Sequence, residues 1–409
     1  MLSQLNKKDK RNYLLLLVGT VFHFGSISYM YLLPRFIKHI GGNENHIGFI
    51  FGIAIIPSLL ISPLGGYLSD KMSGKKLVIT GSAVTIFSTL SFIFVTDISP
   101  LIYILRILQG SGHALYFAVV FSILSHIIPE TNRAEGIAYF AVCAQTGNSL
   151  GSFLAEQIIN NLGYNYYFIG SFSMGVITIA MLCLITISNH ERDAAVRAET
   201  AQKISVKNDG YFSAIFRKNY VSGFLLILFL GGGYGTVVQF VTPYLDYLYR
   251  ASLSTKQIPA SLFIPPALIT VAISRLLLSK ITDRLGRKKI IFVNFPLFIL
   301  TIFLITIIRS EYVALIIAIL FGLSYGFLFP ALNAVILSRA EVRHRGKIAG
   351  ILVMLFDSSF YGFAFIMGPL AYRAGYFSMF YVLAAIMLAG LLFYIILEKV
   401  KHSPATNSY

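Results

Sequence analysis

Residues Gly66–Lys76 read GYLSDKMSGKK, and residues Ser279–Lys289 read SKITDRLGRKK. Both stretches place an aspartate, a basic residue, a glycine and a lysine pair between two long apolar runs. Asp70 and Asp283 are 213 positions apart (283 − 70), and Arg133 and Arg345, in the next equivalent loops, are 212 apart (345 − 133). Each spacing is close to half of the 409 residues. A repeat of that length predicts two equivalent halves enclosing a midplane site, the plan of an alternating-access carrier. The only long hydrophilic segment, Ser188–Lys218 with HERDAAVRAET, falls between them. The expected organisation is an N-terminal half at 1–187, a linker at 188–218 and a C-terminal half at 219–409.

Outward from the repeat, apolar runs fill nearly everything else. Apolar residues make up 56% of the chain and charged residues 12%, against roughly half and a quarter in a soluble protein. Candidate spans are Tyr13–Pro34, Ile47–Leu68, Leu77–Thr96, Leu101–Ile128, Ile137–Ile159 and Tyr166–Ile187, then Tyr220–Tyr244, Ile258–Lys280, Ile290–Ile308, Val313–Leu337, Ile348–Leu370 and Phe377–Leu397. About 20 helical residues cross a hydrocarbon core. The fold class expected is therefore an all-α membrane protein with twelve transmembrane helices in two pseudo-symmetric six-helix bundles.

Charge orients those spans. With the N-terminus cytoplasmic, 25 Lys or Arg fall in cytoplasmic segments, counting Lys280 at the cytoplasmic end of its span, 6 in external loops, and Arg106 and Arg275 deeper inside spans. This is the positive-inside pattern, and it predicts both termini and the linker on the cytoplasmic side. The net charge of +16 is dispersed over helix ends, not gathered on one face, which argues against nucleic acid as a partner. The first span follows Lys7, Lys8, Lys10 and Arg11 as a signal peptide would, but it lacks a small-residue cleavage site and reads as retained. Cys143 and Cys183 sit in apolar spans as small core fillers, so no disulfide, metal or cofactor is expected. The sequence contains no GxxxxGK[ST] or HExxH pattern; GNSLG at 147–151 and GLSYG at 322–326 fit GxSxG, but both lie inside long apolar runs and not at a strand-to-helix turn, so no enzyme chemistry is expected.

The repeated loop, read as G-x-x-x-D-R/K-x-G-R/K-R/K, resembles the signature between helices 2 and 3 and between helices 8 and 9 of the Major Facilitator Superfamily. The second copy, Asp283-Arg284-Leu285-Gly286-Arg287-Lys288-Lys289, matches closely; the first has one extra residue between Lys71 and Gly74, and Ser279 replaces the usual glycine of the second. In helix 4, Arg106-Ile107-Leu108-Gln109-Gly110-Ser111-Gly112 is similar to the family's R-x-x-Q-G-x-G. The resemblance covers essentially the whole chain and implies a secondary transporter. Physically, glycine permits close helix approach, aspartate accepts from a neighbouring helix N-terminus, and the basic cluster holds the loop at the anionic leaflet. Such contacts form in one global state only, so Gly66, Asp70, Lys71, Gly74, Asp283, Arg284, Gly286 and Arg287 are candidate latch residues; the plainer reading of the basic ones is that they enforce topology.

Ionisable groups at membrane depth are costly and are functional candidates by default. They are His23, Arg106, His113, Glu156, Arg275 and Asp357. Arg106, Gln109, Gly110 and His113 share one helical face, expected to look into a central cavity. Glu156 lies at the depth of Arg106, so it either pairs with that arginine or carries a coupling proton. Asp357, in MLFDSSFYGF, sits among apolar neighbours where burial disfavours the charged form unless a cation compensates; it either exchanges a proton or forms a permanent bridge with Arg275. Phe117, Tyr139, Phe240, Tyr325 and Phe360 either line the apolar part of the cavity or pack helices.

Direction is less strongly encoded. Helix 5 keeps Gly147 and Gly151 of the efflux pattern G-x-x-x-G-P-x-x-G-G but lacks its proline and final glycines, while Gly368-Pro369 and Asp357 in helix 11 resemble bacterial drug or metabolite efflux members. Proton-coupled efflux is the primary reading, proton-coupled import of an organic acid, sugar-like nutrient or siderophore the alternative, and a non-transporting receptor of transporter fold the third. A cavity holding Arg106, His113 and Arg275 against few acids predicts a neutral or anionic small molecule. The expected partners are that molecule, protons and lipids, for a monomer in a bacterial cytoplasmic membrane.

Overall fold

Hydrocarbon offers the backbone no hydrogen-bond partners, so a chain this apolar must satisfy its amides within helices or a closed barrel. The computed structural model describes residues 5–129, 132–186, 220–340 and 345–401, and its regular structure is helical throughout. The linker at 188–218 lies outside the described residues. The first half contains α1 (Lys7–Ser28), α2 (Leu33–His39), α3 (Glu44–Gly52), α4 (Ile55–Lys71), α5 (Gly74–Ser91), α6 (Pro100–Ile127), α7 (Arg133–Leu162) and α8 (Tyr164–Leu184). The second contains α9 (Val221–Arg250), α10 (Ile264–Leu285), α11 (Arg287–Leu304), α12 (Glu311–Ser338), α13 (Arg345–Gly362) and α14 (Ala364–Lys401).

Local chemistry sets the boundaries. The Asn6 side chain accepts from Asp9 N–H and caps α1, and Asn43 with His46 forms a capping box at α3. Leu33–His39 continues the line of α1 after a 3-10 turn ahead of Pro34, and α3 passes into α4 just before Pro57. Gly163 joins α7 to α8 at a φ of 85°, a conformation that disfavours any side chain. Gly375, at φ 81°, breaks α14 into two segments.

Among the described residues, ten helices are long and apolar enough to cross a membrane. One of them, Ile348–Glu398, contains the break at Gly375, and the polar Arg133–Leu162 helix stands outside that count. The arrangement is compatible with the twelve spans expected.

The repeat reappears in packing. Within the first half α1 lies on α7, α5 on α6 and α4 on α6; within the second, α9 lies on α13, α11 on α12 and α10 on α12. Glycines make this possible at equivalent places. A Cβ on Gly147 or Gly151 would collide with the α1 backbone at Val21 or Gly25, and one on Gly235 with the backbone of Phe360. Close backbone approach of this kind is the main source of helix association where lipid is as apolar as the side chains. Large apolar residues such as Phe87, Val293, Ile316 and Ile366 remain exposed around the perimeter, as a lipid-facing surface requires.

The halves meet along two seams, α7 against α10 and α3–α4 against α13–α14. At the second, a Cβ on Gly48 would stand 2.5 Å from Ala364 O and 2.7 Å from Gly368 Cα. These contacts concentrate toward the membrane face opposite the termini, called here the far end.

Candidate functional site

A cavity of about 130 Å³ lies between the halves. Helix α6 presents Arg106, Gln109, Gly110 and His113 to it at i, i+3, i+4 and i+7, the periodicity that keeps side chains on one face. Phe24, Ile27, Met30 and Tyr31, with Phe51 and Asn148 of α7, complete the first-half wall, and Gln239 of α9 with Phe356, Asp357, Phe360 and Tyr361 forms the second. One cargo in this space touches both halves at once.

The charged groups here are unusually lightly compensated. Arg106 Nη1 donates to Gln109 Oε1 at 2.5 Å, and Gln109 Nε2 donates to Thr89 Oγ1 at 2.7 Å. The Arg106 guanidinium carbon lies over the rings of Phe51 at 5.0 Å and Tyr361 at 5.6 Å. No carboxylate pairs with it among the described residues, and its Nε is buried without a partner. His113 Nδ1 stands 3.2 Å from His23 Nε2, and the His23 ring stacks on Tyr116 at 3.5 Å between centroids. Asp357 has neither an ion pair nor a hydrogen-bond donor among the described residues.

Two expected pairings are not formed. Arg275 does not bridge to Asp357; its guanidinium lies 6.0 Å from the ring centroid of Phe329, which gives the cation an aromatic face and leaves the carboxyl group in the cavity wall. Arg106 does not pair with Glu156 either. Its partner Gln109 is on its own helix, and Glu156 is drawn to the far end by a stronger set of donors.

That set is an interlocked charge cluster. Glu156 Oε1 accepts from Arg35 Nη1 at 2.6 Å and from Ala260 N–H at 2.8 Å, while Oε2 accepts from Ser261 N–H at 2.6 Å. The first-half carboxylate thus occupies the N-terminal turn that leads into α10, where free amides and the helix dipole favour an anion. Arg35 also makes a two-pronged contact with Asp246 of α9, Nε to Oδ2 and Nη2 to Oδ1, both at 2.8 Å. Beside it Lys38 pairs with Glu44 at 2.6 Å, and Glu44 accepts from the Tyr376 hydroxyl at 2.9 Å. Exposure is 8% at Arg35, 1% at Glu156 and 15% at Asp246, so water screens these charges little. Outside the cluster lies a surface pocket of about 520 Å³.

Of the remaining candidates, Phe360 lines the cavity. Phe117 packs on Phe24, Phe121 and Phe140 within the first half, and Tyr325 stacks on Tyr234 at 3.8 Å. Phe240 is wholly buried in the helix core, and Tyr139 is 43% exposed on the outer surface. These four, with Arg275, are not in the cavity wall, because their helices turn those faces toward neighbours or outward. Of the latch candidates, Gly74 begins α5, Gly286 precedes α11 at φ 76° and Arg287 is exposed. The side chains of Gly66, Asp70, Lys71, Asp283 and Arg284 lie outside the described residues.

Sequence reasoning missed Asn148, Gln239, Arg35 and Asp246. A buried amide in an apolar span was a legible signal for the first two. The others fall just beyond the ends of the apolar runs at Pro34 and Tyr244, and only the helix ends bring them together.

Comparison with known proteins agrees with this architecture. The Major Facilitator Superfamily model matches residues 15–364. Multidrug resistance protein 2 of Bacillus subtilis (strain 168) is 23% identical over 343 residues, 83% of this chain and 82% of that one. Quinolone resistance protein NorA of Staphylococcus aureus is 26% identical over 155 residues, 37% of this chain and 38% of its own. The crystal structure of the nucleoside transporter NupG superposes with a TM-score of 0.74 at 12% identity, covering 96% of this chain and 100% of that one. The chain belongs to the Major Facilitator Superfamily.

Proposed function

We propose that this superfamily member is a proton-coupled exporter of a small neutral or anionic molecule, working by alternating access. The observation that carries the reading is the central cavity: Arg106 from one half and Asp357 from the other face one space, and neither has an ion-pair partner among the described residues. A desolvated guanidinium favours a cargo that accepts charge-assisted hydrogen bonds over a lipophilic cation. Asp357, without a salt bridge to any of the described residues, is the coupling group in this reading. Glu156 is disfavoured for that role because three donors hold its carboxylate.

With the termini cytoplasmic, the far-end cluster is the external gate and the conformation is closed to the outside. A cavity of about 130 Å³ has room for roughly four waters, and ligand pockets are usually about 300 Å³ or more. Cargo admission therefore requires the halves to part at the terminal end.

The test is flux in proteoliposomes carrying an imposed pH gradient, with matched cationic, neutral and anionic compounds. Gradient-driven uptake of neutral or anionic compounds into vesicles whose lumen corresponds to the outside, weakened by Arg106→Ala, is expected. Uptake in the reverse sense supports import; a preference for lipophilic cations undiminished in Arg106→Ala defeats the charge argument; binding without flux supports a receptor.

A further inference from the structure

Buried polar atoms nearly always find hydrogen-bond partners, and each one left without a partner costs roughly 1–3 kcal/mol. Among the described residues, three such atoms belong to the central cavity wall: Oε1 of Gln239, Oδ1 of Asn148 and Nε of Arg106. All three residues are more than nine-tenths buried, with exposures of 0%, 6% and 5%. Gln239 is not free to turn, since its Nε2 donates to Phe360 O at 2.7 Å and thereby commits its oxygen to the role of acceptor. Arg106 is likewise held, through Nη1 on Gln109 and its plane against Phe51 and Tyr361. Besides the Asp357 carboxyl, the wall thus holds one buried, unpartnered acceptor from each half and one such donor, beside aromatic faces.

Two acceptors and one donor are the complement of a primary carboxamide, which carries two N–H hydrogens and one carbonyl oxygen. We infer that the cavity recognises a flat aromatic carboxamide, with Gln239 and Asn148 accepting its N–H hydrogens and Arg106 Nε donating to its carbonyl. The inference rests on the reading of this cavity as the cargo site and narrows its chemistry. Because Asn148 belongs to α7 and Gln239 to α9, such a cargo ties the two halves together, so binding favours the state in which the walls approach.

Benzamide and N,N-dimethylbenzamide are the probes: they share ring and carbonyl, and the second lacks both donors. Ligand-observed NMR on the full-length protein in nanodiscs, with empty nanodiscs as the lipid control, measures both dissociation constants. Benzamide is expected to bind roughly 10- to 30-fold more tightly. Gln239→Met and Asn148→Leu, which preserve volume and remove the acceptors, should each lower that ratio several-fold, and the double variant should bring it near one. The two substitutions sit in different halves, so misfolding of one variant leaves the other informative. Equal binding of the two probes by the unaltered protein, no binding of benzamide, or a ratio unchanged in both variants would overturn the inference, the last because it marks the added methyls as a steric matter. The readout is binding and not flux. Its failure leaves the carrier reading standing, and absent flux with intact discrimination defeats the carrier reading alone.

Discussion

Replacing Glu156 by glutamine should release the far end. The carboxylate accepts three hydrogen bonds, two of them from backbone amides of the opposite half, and it shares Arg35 with Asp246. Glutamine keeps one acceptor oxygen and turns an amide group toward donors, so at least one cross-half bond is lost and Arg35 loses half of its compensation. Hydrogen bonds to charged groups are worth about 1.5–3 kcal/mol each, and removing one partner of a buried pair costs about 3–5 kcal/mol. With 1% exposure at Glu156, little of this is recovered by solvent. Part of the loss is repaid when the parted surfaces hydrate, so about 3 kcal/mol is assigned to the closed state, a shift of about 100-fold or more toward opening. Spin labels at His39 and Lys256, exposed positions in opposite halves, report the distance across the gate in a background with Cys143 and Cys183 replaced. The parent should give one short distance and Glu156→Gln a substantial longer population. Arg35→Met should produce much the same shift, and the double variant little more, because both remove one network. Unchanged distance distributions in both single variants would refute the assignment of this cluster as a gate.

Asp357→Asn should abolish accumulation driven by a pH gradient while leaving cargo exchange across the membrane intact; retained uphill transport removes Asp357 from the coupling role. Gly48→Leu should prevent closure of the far end with little effect on expression, since its collision is with Ala364 and Gly368 of the other half. Gly151→Leu forces α1 from α7 inside one half and should instead lower thermal stability and yield, by roughly 1–3 kcal/mol or more; equal behaviour of the two variants in melting and cross-linking assays would contradict the division of labour. Asp70→Asn and Asp283→Asn should each slow transport without altering membrane insertion or cargo affinity, as residues that bias states and not the site, and normal flux in both would exclude a latch.

The apolar runs, the repeat at Asp70 and Asp283 and the asymmetry of Lys and Arg determined the class of this protein without coordinates, because membrane solvation acts on composition and length and needs no tertiary knowledge. The helical face of Arg106, Gln109 and His113 was equally legible, since 3.6-residue periodicity is local. What lay beyond the sequence was which charges meet. Arg106 and Glu156 stand at similar depths on consecutive helices, and depth alone paired them; the fold gave Glu156 to Arg35 and to two amides 104 and 105 positions away. Asp357 and Arg275 were likewise matched by sign, yet the helix rotations set by glycine contacts at Gly235 and Gly326 leave the arginine against Phe329 and the aspartate in the cavity wall. Gln239 and Asn148 look ordinary in their spans, and only the meeting of two halves turns their oxygens into one site. Partition into lipid is a sum over residues, whereas pairing depends on rotations and offsets between helices far apart in the chain, and those are decided by packing.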